Sequence, residues 1–209
     1  MSRKQIVLGI TGASGAPYAL RLLRLLVEAD VHVHLVITPY GRQVMAEECG
    51  VKSPTVVGLL GRESEHVTTY SHLDLGARIS SGSFRTDGMV ICPCSSNTLS
   101  AIAAGLADNL VTRAAMVTLK ESRRLLIVPR ETPLHTIEIE NMLRLSRSGA
   151  LIVPAAPGFY NCPKTIEELL DFMAGRIMDL LNLPHSLKIR WNPDGEATAH
   201  EDLSEARGL

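Results

Sequence analysis

Gln5-Ile-Val-Leu-Gly-Ile-Thr-Gly-Ala-Ser-Gly-Ala16 is a short apolar run that continues into a glycine-rich loop, directly before a helical pattern. The run predicts a buried strand, and the glycines let the backbone turn sharply and approach a ligand closely. Free N–H groups at the start of the next helix suit a phosphate. The loop lacks the Gly-Lys-Ser/Thr of a P-loop. A loop that only packs is the alternative, but its position after the first strand favours a ligand.

Short apolar runs alternate with amphipathic ones along the rest of the chain. This alternation predicts a three-layer Rossmann-like (flavodoxin-like) α/β fold, with a parallel sheet flanked by helices and ligands beyond the carboxyl ends of the strands. The further predicted strands are Val33–Ile37, Met89–Cys92, Leu125–Val128 and Leu151–Val153. The predicted helices are one around Ala19–Val27, then Tyr40–Cys49, Ser96–Ala107, Thr136–Arg147 and Thr165–Leu181. The segment 50–86 shows no clear element.

The second predicted strand ends in Ile37-Thr38-Pro39, without the acidic residue that would hold the ribose of NAD. A mononucleotide with one phosphate therefore fits this chain better than a dinucleotide does. The third strand ends in Cys92-Pro-Cys94-Ser95-Ser96-Asn97-Thr98, where hydroxyls stand at a second helix start. Helix capping by Ser95 or Ser96 explains these hydroxyls as well as a ligand does, but two polar helix starts at one crevice favour a ligand.

Composition bounds the class of protein. The chain has 209 residues, of which 45% are hydrophobic and 21% are charged, with a net charge of -1. This predicts one α/β domain over residues 1–191 and a polar tail over residues 192–209, with no membrane span and no nucleic-acid binding. The four cysteines have no metal or redox spacing, so a reduced, cytoplasmic protein is expected, with Cys92 and Cys94 buried as small apolar residues.

Charged and aromatic residues follow the last two strands. Arg130-Glu131 lies between two prolines, where an arginine suits a phosphate and a carboxyl suits proton transfer. Tyr160 offers a hydroxyl, although packing under its own loop is as good an interpretation. The histidines show no metal spacing: His32 and His34 are expected to be structural, and His135 has no evident carboxylate partner in the sequence.

Four of these junctions together resemble the UbiX flavin prenyltransferases. The matching motifs are Thr11-Gly-Ala-Ser-Gly-Ala16, Ser80-Ser-Gly-Ser-Phe84, Cys92-Pro-Cys-Ser95 with Asn109-Leu-Val-Thr-Arg-Ala-Ala115, and Val128-Pro-Arg-Glu-Thr-Pro-Leu134 with Pro157-Gly-Phe-Tyr160. The resemblance runs in register from about Met1 to Trp191. It implies a flavoprotein that attaches the dimethylallyl group of dimethylallyl phosphate to N5 and C6 of reduced FMN without a metal, and supplies prenylated FMN to a UbiD-type decarboxylase.

The resemblance also implies site residues and an assembly. The residues implied to bind FMN, with their immediate neighbours in the motif, are Gly12, Ala13, Ser14, Thr38, Ser95, Ser96, Asn97, Thr98 and Arg130. Those implied around the allylic phosphate are Ser14, Glu48, Arg113, Lys120, Arg130, Glu131, Tyr160 and Arg176, with Ser14, Glu48 and Glu131 as the catalytic candidates. Members form homo-oligomers, typically dodecamers with sites at subunit interfaces, which would give a role to Arg176 inside the last helix.

Two other functions stay open at this point. A flavin-dependent cysteine decarboxylase of related fold would share Asn97-Thr98 and Asp108-Asn109-Leu110, but it is expected to carry an early catalytic histidine after a strand end, and no histidine stands there. A non-catalytic FMN carrier would need the phosphate loop but not Glu131, Lys120 and Tyr160 together. The downstream pathway and the number of phosphates on the allylic donor are not determined by the sequence.

Overall fold

A computed structural model describes residues 3–187, and a six-stranded parallel sheet lies at its centre. The strands are β1 (Gln5–Ile10), β2 (His32–Ile37), β3 (Val67–Tyr70), β4 (Gly88–Cys94), β5 (Leu125–Pro129) and β6 (Leu151–Ile152). Their order across the sheet is β3-β2-β1-β4-β5-β6, and every neighbouring pair is parallel. The predicted Rossmann-like fold is confirmed, and this is the Rossmann strand order.

Helices cover both faces of this sheet. They are α1 (Ala16–Glu28), α2 (Pro39–Cys49), α3 (Val56–Leu60), α4 (Ser96–Ala103), α5 (Leu110–Lys120), α6 (Thr136–Arg147) and α7 (Ile166–Leu180), with a 3-10 helix at Arg78–Ser80. Helix α1 shows why these segments are helical: Pro17 stands in its first turn, and Leu22, Leu23 and Leu26 line one buried face.

The core consists of two apolar clusters, one on each side of the sheet. Ile6, Leu8 and Ile10 of β1 belong to the cluster that also holds buried residues of α1 and α7. Val7 belongs to the other cluster, with buried residues of α4, α5 and α6. Successive strand residues point to opposite faces, so an almost wholly apolar strand such as β1 fills both clusters at once.

Two parts of the predicted element order were incomplete. The segment 50–86 contains α3, the 3-10 helix and β3, whose sequence Val-Thr-Thr-Tyr is short and half polar because it forms the edge of the sheet. The predicted helix Ser96–Ala107 is wrong at its end: α4 stops at Ala103, Gly105 takes φ +78°, and a separate helix begins after Asn109. The short β6 ends at Ile152, one residue before its predicted end.

The predicted tail over residues 192–209 lies outside the described residues, as does Trp191. Within residues 3–187, no helix is both long and apolar enough to cross a membrane.

Candidate active site

The crevice between the carboxyl ends of β1 and β4 lies where the strand order reverses direction. Thr11, which directly follows β1, ties the two strand ends together and is itself buried. Its hydroxyl donates to the Pro93 carbonyl at 2.8 Å and accepts from the Ser95 N–H at 2.8 Å. The loops after β1 and β4 are therefore held as one wall at the point where ligands bind in open α/β sheets.

The β1–α1 loop leaves no room for a larger residue at Gly12. A Cβ atom there would lie 2.5 Å from Cβ of Tyr40, which follows Thr38 at the start of α2. Thr38 caps α2 by accepting the Gly41 N–H at 3.1 Å, and its own N–H donates to the Ile10 carbonyl. The glycine therefore allows the loop to lie directly against the end of β2.

Helix α1 does not offer all of its first N–H groups to a ligand. Oε2 of Glu48, in the last turn of α2, accepts from the Gly15 N–H at 2.8 Å and from the Ala16 N–H at 2.9 Å. A carboxylate is a favourable partner for a helix N-terminus because it meets the positive end of the helix dipole. The expectation that this helix start is open to a phosphate is thus wrong for these two donors.

Helix α4 presents a second N-terminus to the same crevice. Ser95 caps it: its Oγ accepts the Thr98 N–H at 3.3 Å and lies 3.1 Å from Oγ1 of Thr98. The N–H groups of Ser96 and Asn97, in the first turn, have no acceptor within the helix. The predicted capping by Ser95 is confirmed, and the remaining donors form a site of the kind that binds phosphate.

The loop after β5 brings a charged pair to the crevice. Nε of Arg130 donates to the Ser14 carbonyl at 2.9 Å, so this arginine reaches across to the loop after β1. Glu131 is exposed, its Oε1 accepts the Thr132 N–H at 3.1 Å, and its Oε2 lies 3.3 Å from the Ser96 hydroxyl. The N–H donors of α4, the Arg130 guanidinium and the Glu131 carboxyl therefore lie together at the ends of the neighbouring strands β1, β4 and β5.

Comparison with known proteins places this geometry in a family. The family model described as Flavoprotein matches residues 1–178. A curated flavin prenyltransferase UbiX of Alkalihalophilus pseudofirmus is 47% identical over 90% of this chain and 96% of its own length, and one of Pseudomonas aeruginosa is 44% identical over 90% and 94%. The chain belongs to the UbiX family.

Solved structures of UbiX proteins have the same fold. The crystal structure of AnUbiX (PadA1) in complex with FMN and dimethylallyl pyrophosphate has a TM-score of 0.83 and 40% identity, over 91% of this chain and 98% of that one. A dodecameric FMN-dependent UbiX-like decarboxylase from Escherichia coli O157:H7 has a TM-score of 0.81 and 43% identity, over 90% and 99%.

Two of the basic residues expected from the UbiX resemblance, Lys120 and Arg176, lie away from the crevice of their own chain, whereas Arg113 stands in the first turn of α5. Lys120 ends α5 shortly before β5 begins, so it lies toward the amino edge of the sheet, next to Glu121 at 3.5 Å. It lines a shallow depression of about 410 Å³ between α4, α5 and α6. Arg113 donates to the Ser80 carbonyl at 3.2 Å, and Arg176 pairs with Asp179 at 3.3 Å.

Tyr160 lies in the loop after β6 and packs on its surroundings. Its ring meets the ring of Phe172 edge-on, with the centroids 5.6 Å apart, and a Cβ atom at Gly158 would lie 2.8 Å from its Cε1. About half of Tyr160 is exposed. Tyr160 thus packs partly on α7 and on Gly158 of its own loop, while its exposed part leaves a surface for a ligand or another subunit.

Two cysteines and the strand histidines of this UbiX chain have structural positions. Cys92 and Cys94 are buried in the two core clusters, and burial raises the pKa of Cys92 to about 12. His34 is buried and bonds Tyr70 and Gln5 across the sheet, as expected of a structural residue. Among residues 3–187, no three His, Cys, Asp or Glu side chains are placed to hold a metal ion.

Sequence reasoning missed two residues of this site, Thr11 and Glu138. Glu138 is 5% exposed and forms a capping box with His135, the residue before α6. The expectation that His135 has no carboxylate partner is wrong, since its Nδ1 lies 3.7 Å from Oε2 of Glu138. The three-residue spacing was the available signal, but capping boxes usually begin with serine or threonine.

Proposed function

We propose that the chain is a flavin prenyltransferase, which transfers the dimethylallyl group of dimethylallyl phosphate to reduced FMN. The observation that carries this proposal is the meeting of the α4 N-terminus with Arg130 and Glu131 at one crevice, because it joins an anion site to a proton-transfer group. Identity of 47% to named flavin prenyltransferases over 90% of the chain supports it.

The residues of the crevice fit a flavin mononucleotide. The phosphate would lie at the start of α4, with Ser95, Ser96, Asn97 and Thr98, where N–H donors and hydroxyls are available. Gly12 lets this loop lie against Tyr40, and a loop of such small residues, Gly12 and Ala13, would let the flavin approach the backbone closely. Thr38, Ser14 and Arg130 line the same strand ends and would complete the site.

The allylic phosphate would lie beside Glu131 and Arg130, with Ser14 and Glu48 close to the same loop. One arginine is little positive charge for a departing phosphate dianion. We infer that Lys120 and Arg176 are supplied by neighbouring subunits, since they lie outside their own crevice, and that Arg113 and Tyr160 complete the site. The structure thus favours a homo-oligomer with shared sites, such as a dodecamer.

Reduced FMN, when bound, supplies the ring atoms N5 and C6 that form the two new bonds to the dimethylallyl group. The chain's part is to stabilise the phosphate as its C–O bond breaks, and cationic groups and N–H donors aimed at the developing charge do this. Glu131 would give a proton to the phosphate and would take the one that C6 loses when the second bond forms, so it would end in its starting state. The proton that N5 loses on alkylation would balance the one that the alkene of the attached group gains before ring closure.

Further properties extend this proposal. We propose a metal-independent reaction with the monophosphate as donor, because the chain carries no Asp-rich diphosphate–magnesium motif. The product would pass to a UbiD-type decarboxylase. The four free cysteines suit a reducing compartment, and we propose the cytoplasm.

Mass spectrometry of the flavin tests the proposal. The protein is incubated anaerobically with reduced FMN and either dimethylallyl phosphate or dimethylallyl diphosphate, and the mass of the extracted flavin is measured. A mass gain of one dimethylallyl group with the monophosphate is expected. An unchanged flavin that stays bound would indicate a carrier. In a parallel incubation with a cysteine substrate, release of CO₂ with an unchanged flavin would indicate a decarboxylase.

A further inference from the structure

The Ser96 hydroxyl lies between two carboxylates at the crevice. Its Oγ is 3.3 Å from Oε2 of Glu131 and donates a hydrogen bond to Oε1 of Glu138, on the first turn of α6. A serine hydroxyl has one proton to donate and two lone pairs to accept with. It cannot donate to both carboxylates at once, and 3.3 Å is long for an O–H···O hydrogen bond, so its proton goes to Glu138 rather than to Glu131.

Glu138 is held as an acceptor on both of its oxygens. Oε1 accepts from Ser96, and Oε2 accepts from the His135 N–H at 3.1 Å. The Ser96 hydroxyl, followed by the His135 N–H, holds the pKa of Glu138 below its ordinary value. Glu138 is therefore ionised at neutral pH, and the proton of Ser96 points to it and away from the crevice.

Few other charged groups face this cluster. The helix packed against α6 is α4, Ser96–Ala103, which carries no charged residue, and neither does the neighbouring strand β6. His135 lies 3.7 Å from Glu138, and Arg130 reaches the Ser14 carbonyl with its Nε. The local proton balance therefore rests on Glu131, Glu138, His135 and Arg130, with Ser96 as the only bridge between the two carboxylates that the described residues show.

We propose that Glu138 is a positioning residue that, through Ser96, holds Glu131 ready to donate a proton. Because the Ser96 hydroxyl donates its proton to Glu138, Ser96 presents a lone pair to Glu131. The contact between Ser96 and Glu131 then becomes a hydrogen bond only when Oε2 of Glu131 carries a proton. Oε1 of Glu131 already accepts the Thr132 N–H, so the proton belongs on Oε2. This inference rests on the proposed function, in which Glu131 protonates the departing phosphate.

The substitution Glu138→Gln reverses the direction of the bridge. The amide oxygen can still accept the His135 N–H, so the cap of α6 is kept, while the amide N–H₂ donates to Ser96 and turns the Ser96 proton toward Glu131. A hydrogen bond to a charged group then favours ionised Glu131. We expect the carboxylic acid band of Glu131 to be weaker in Glu138→Gln than in the unsubstituted protein at the same pH.

Infrared spectroscopy of the protein with FMN but without allylic substrate measures this directly. The carboxylic acid band of Glu131 is identified by its loss in Glu131→Gln and followed against pH. Asn141→Ala is the matched control. Asn141 donates to the Ser100 hydroxyl at 3.0 Å, so the substitution removes a different polar contact between α6 and α4. The control should keep the wild-type band at each pH, and a loss of band as large as in Glu138→Gln would show a general loosening of α6 and overturn the proposal.

A Ser96→Ala background tests the route. In this background, adding Glu138→Gln should leave the Glu131 band as strong as it is in Ser96→Ala alone, because the bridge between the two carboxylates is gone. An undiminished loss of band in that background, or no loss with Ser96 present, overturns the proposal. The band is read without turnover, so a chain that does not prenylate flavin would refute the proposed function while the coupling of the two carboxylates is still decided.

Discussion

Glu131 follows β5 in a position where a carboxyl can face both a flavin and a phosphate. Replacing it with Gln keeps the size of the side chain, an oxygen that accepts the Thr132 N–H and an N–H that can donate to Ser96, but removes proton exchange. We expect nearly unchanged FMN affinity and prenylation slowed by roughly 10²–10⁴-fold, the usual cost of losing an acid–base group. Single-turnover kinetics with reduced FMN measures this.

The exposed Glu140 of α6 provides the control for this substitution. Glu140→Gln should prenylate at the wild-type rate. If Glu131→Gln does so too, Glu131 is not the acid–base group. Glu48 then becomes the candidate, although its bonds to the first N–H groups of α1 already give it a structural task.

Among the secondary-structure elements, α5 depends on its own start signal. The side chain of Asn109 accepts the N–H groups of Val111 and Thr112, and Thr112 completes the capping box. We expect Asn109→Ala to lower the free energy of unfolding by about 1 kcal/mol, the usual cost of losing an N-cap. Denaturant unfolding measures it, and Asn109→Ser, which keeps an acceptor oxygen, should lose far less. Equal losses would show that packing alone holds α5.

The β2–β3 edge of the sheet makes stability depend on pH. Burial, and then the charges of His32 and Arg78, lower the pKa of His34 to about 4 in the folded protein, against 6.5 when it is unfolded. Between these values the unfolded chain binds one more proton, so stability is full above pH 6.5 and falls as the pH drops toward 4. This contributes roughly 2–4 kcal/mol.

Chemical denaturation at several pH values between 4 and 7 tests this contribution. His34→Gln should flatten the dependence in that window, while His72→Gln, outside the buried cluster, should keep it. A His34→Gln protein with the wild-type slope would place the cause elsewhere.

For the whole molecule, the separated basic residues predict sites shared between subunits. Glu131→Gln and Arg176→Ala chains should each be slow alone, because each lacks one part of every site. Oligomers reassembled from equal amounts of both should recover about a quarter of the wild-type activity, since a quarter of the sites then combine two intact contributions.

Mixing Glu131→Gln with Arg130→Ala chains is the matched control, because both residues belong to one crevice and no intact site can form. Recovery in the control, or none with Arg176→Ala, contradicts shared sites. A monomer with full activity would contradict them as well.

The sequence by itself determined the class of fold and the places where function should be sought. Apolar runs such as Gln5–Ile10 are strands because they fill both faces of a buried sheet, and this pattern is local in the chain. Parallel strands bring their carboxyl ends to one edge, so the Gly12–Ser14, Ser95–Thr98 and Arg130–Glu131 motifs had to meet there. The motifs also led to the family, because their combination is specific although each alone is not.

The tertiary structure decided what those motifs contact. Glu48 reaches the start of α1 from 32 residues away and Ser96 meets Glu138 from 42 away, and no local pattern reports such contacts. The sequence did not predict the edge strand β3, because half of its residues are polar; an edge strand is less buried than a central one and tolerates them. The resemblance implies Lys120 and Arg176 as site residues, yet Lys120 stands at the end of α5 and Arg176 in the second half of α7, away from the crevice. Periodicity reports which face of an element is buried, whereas the partner of a polar side chain depends on how distant elements pack.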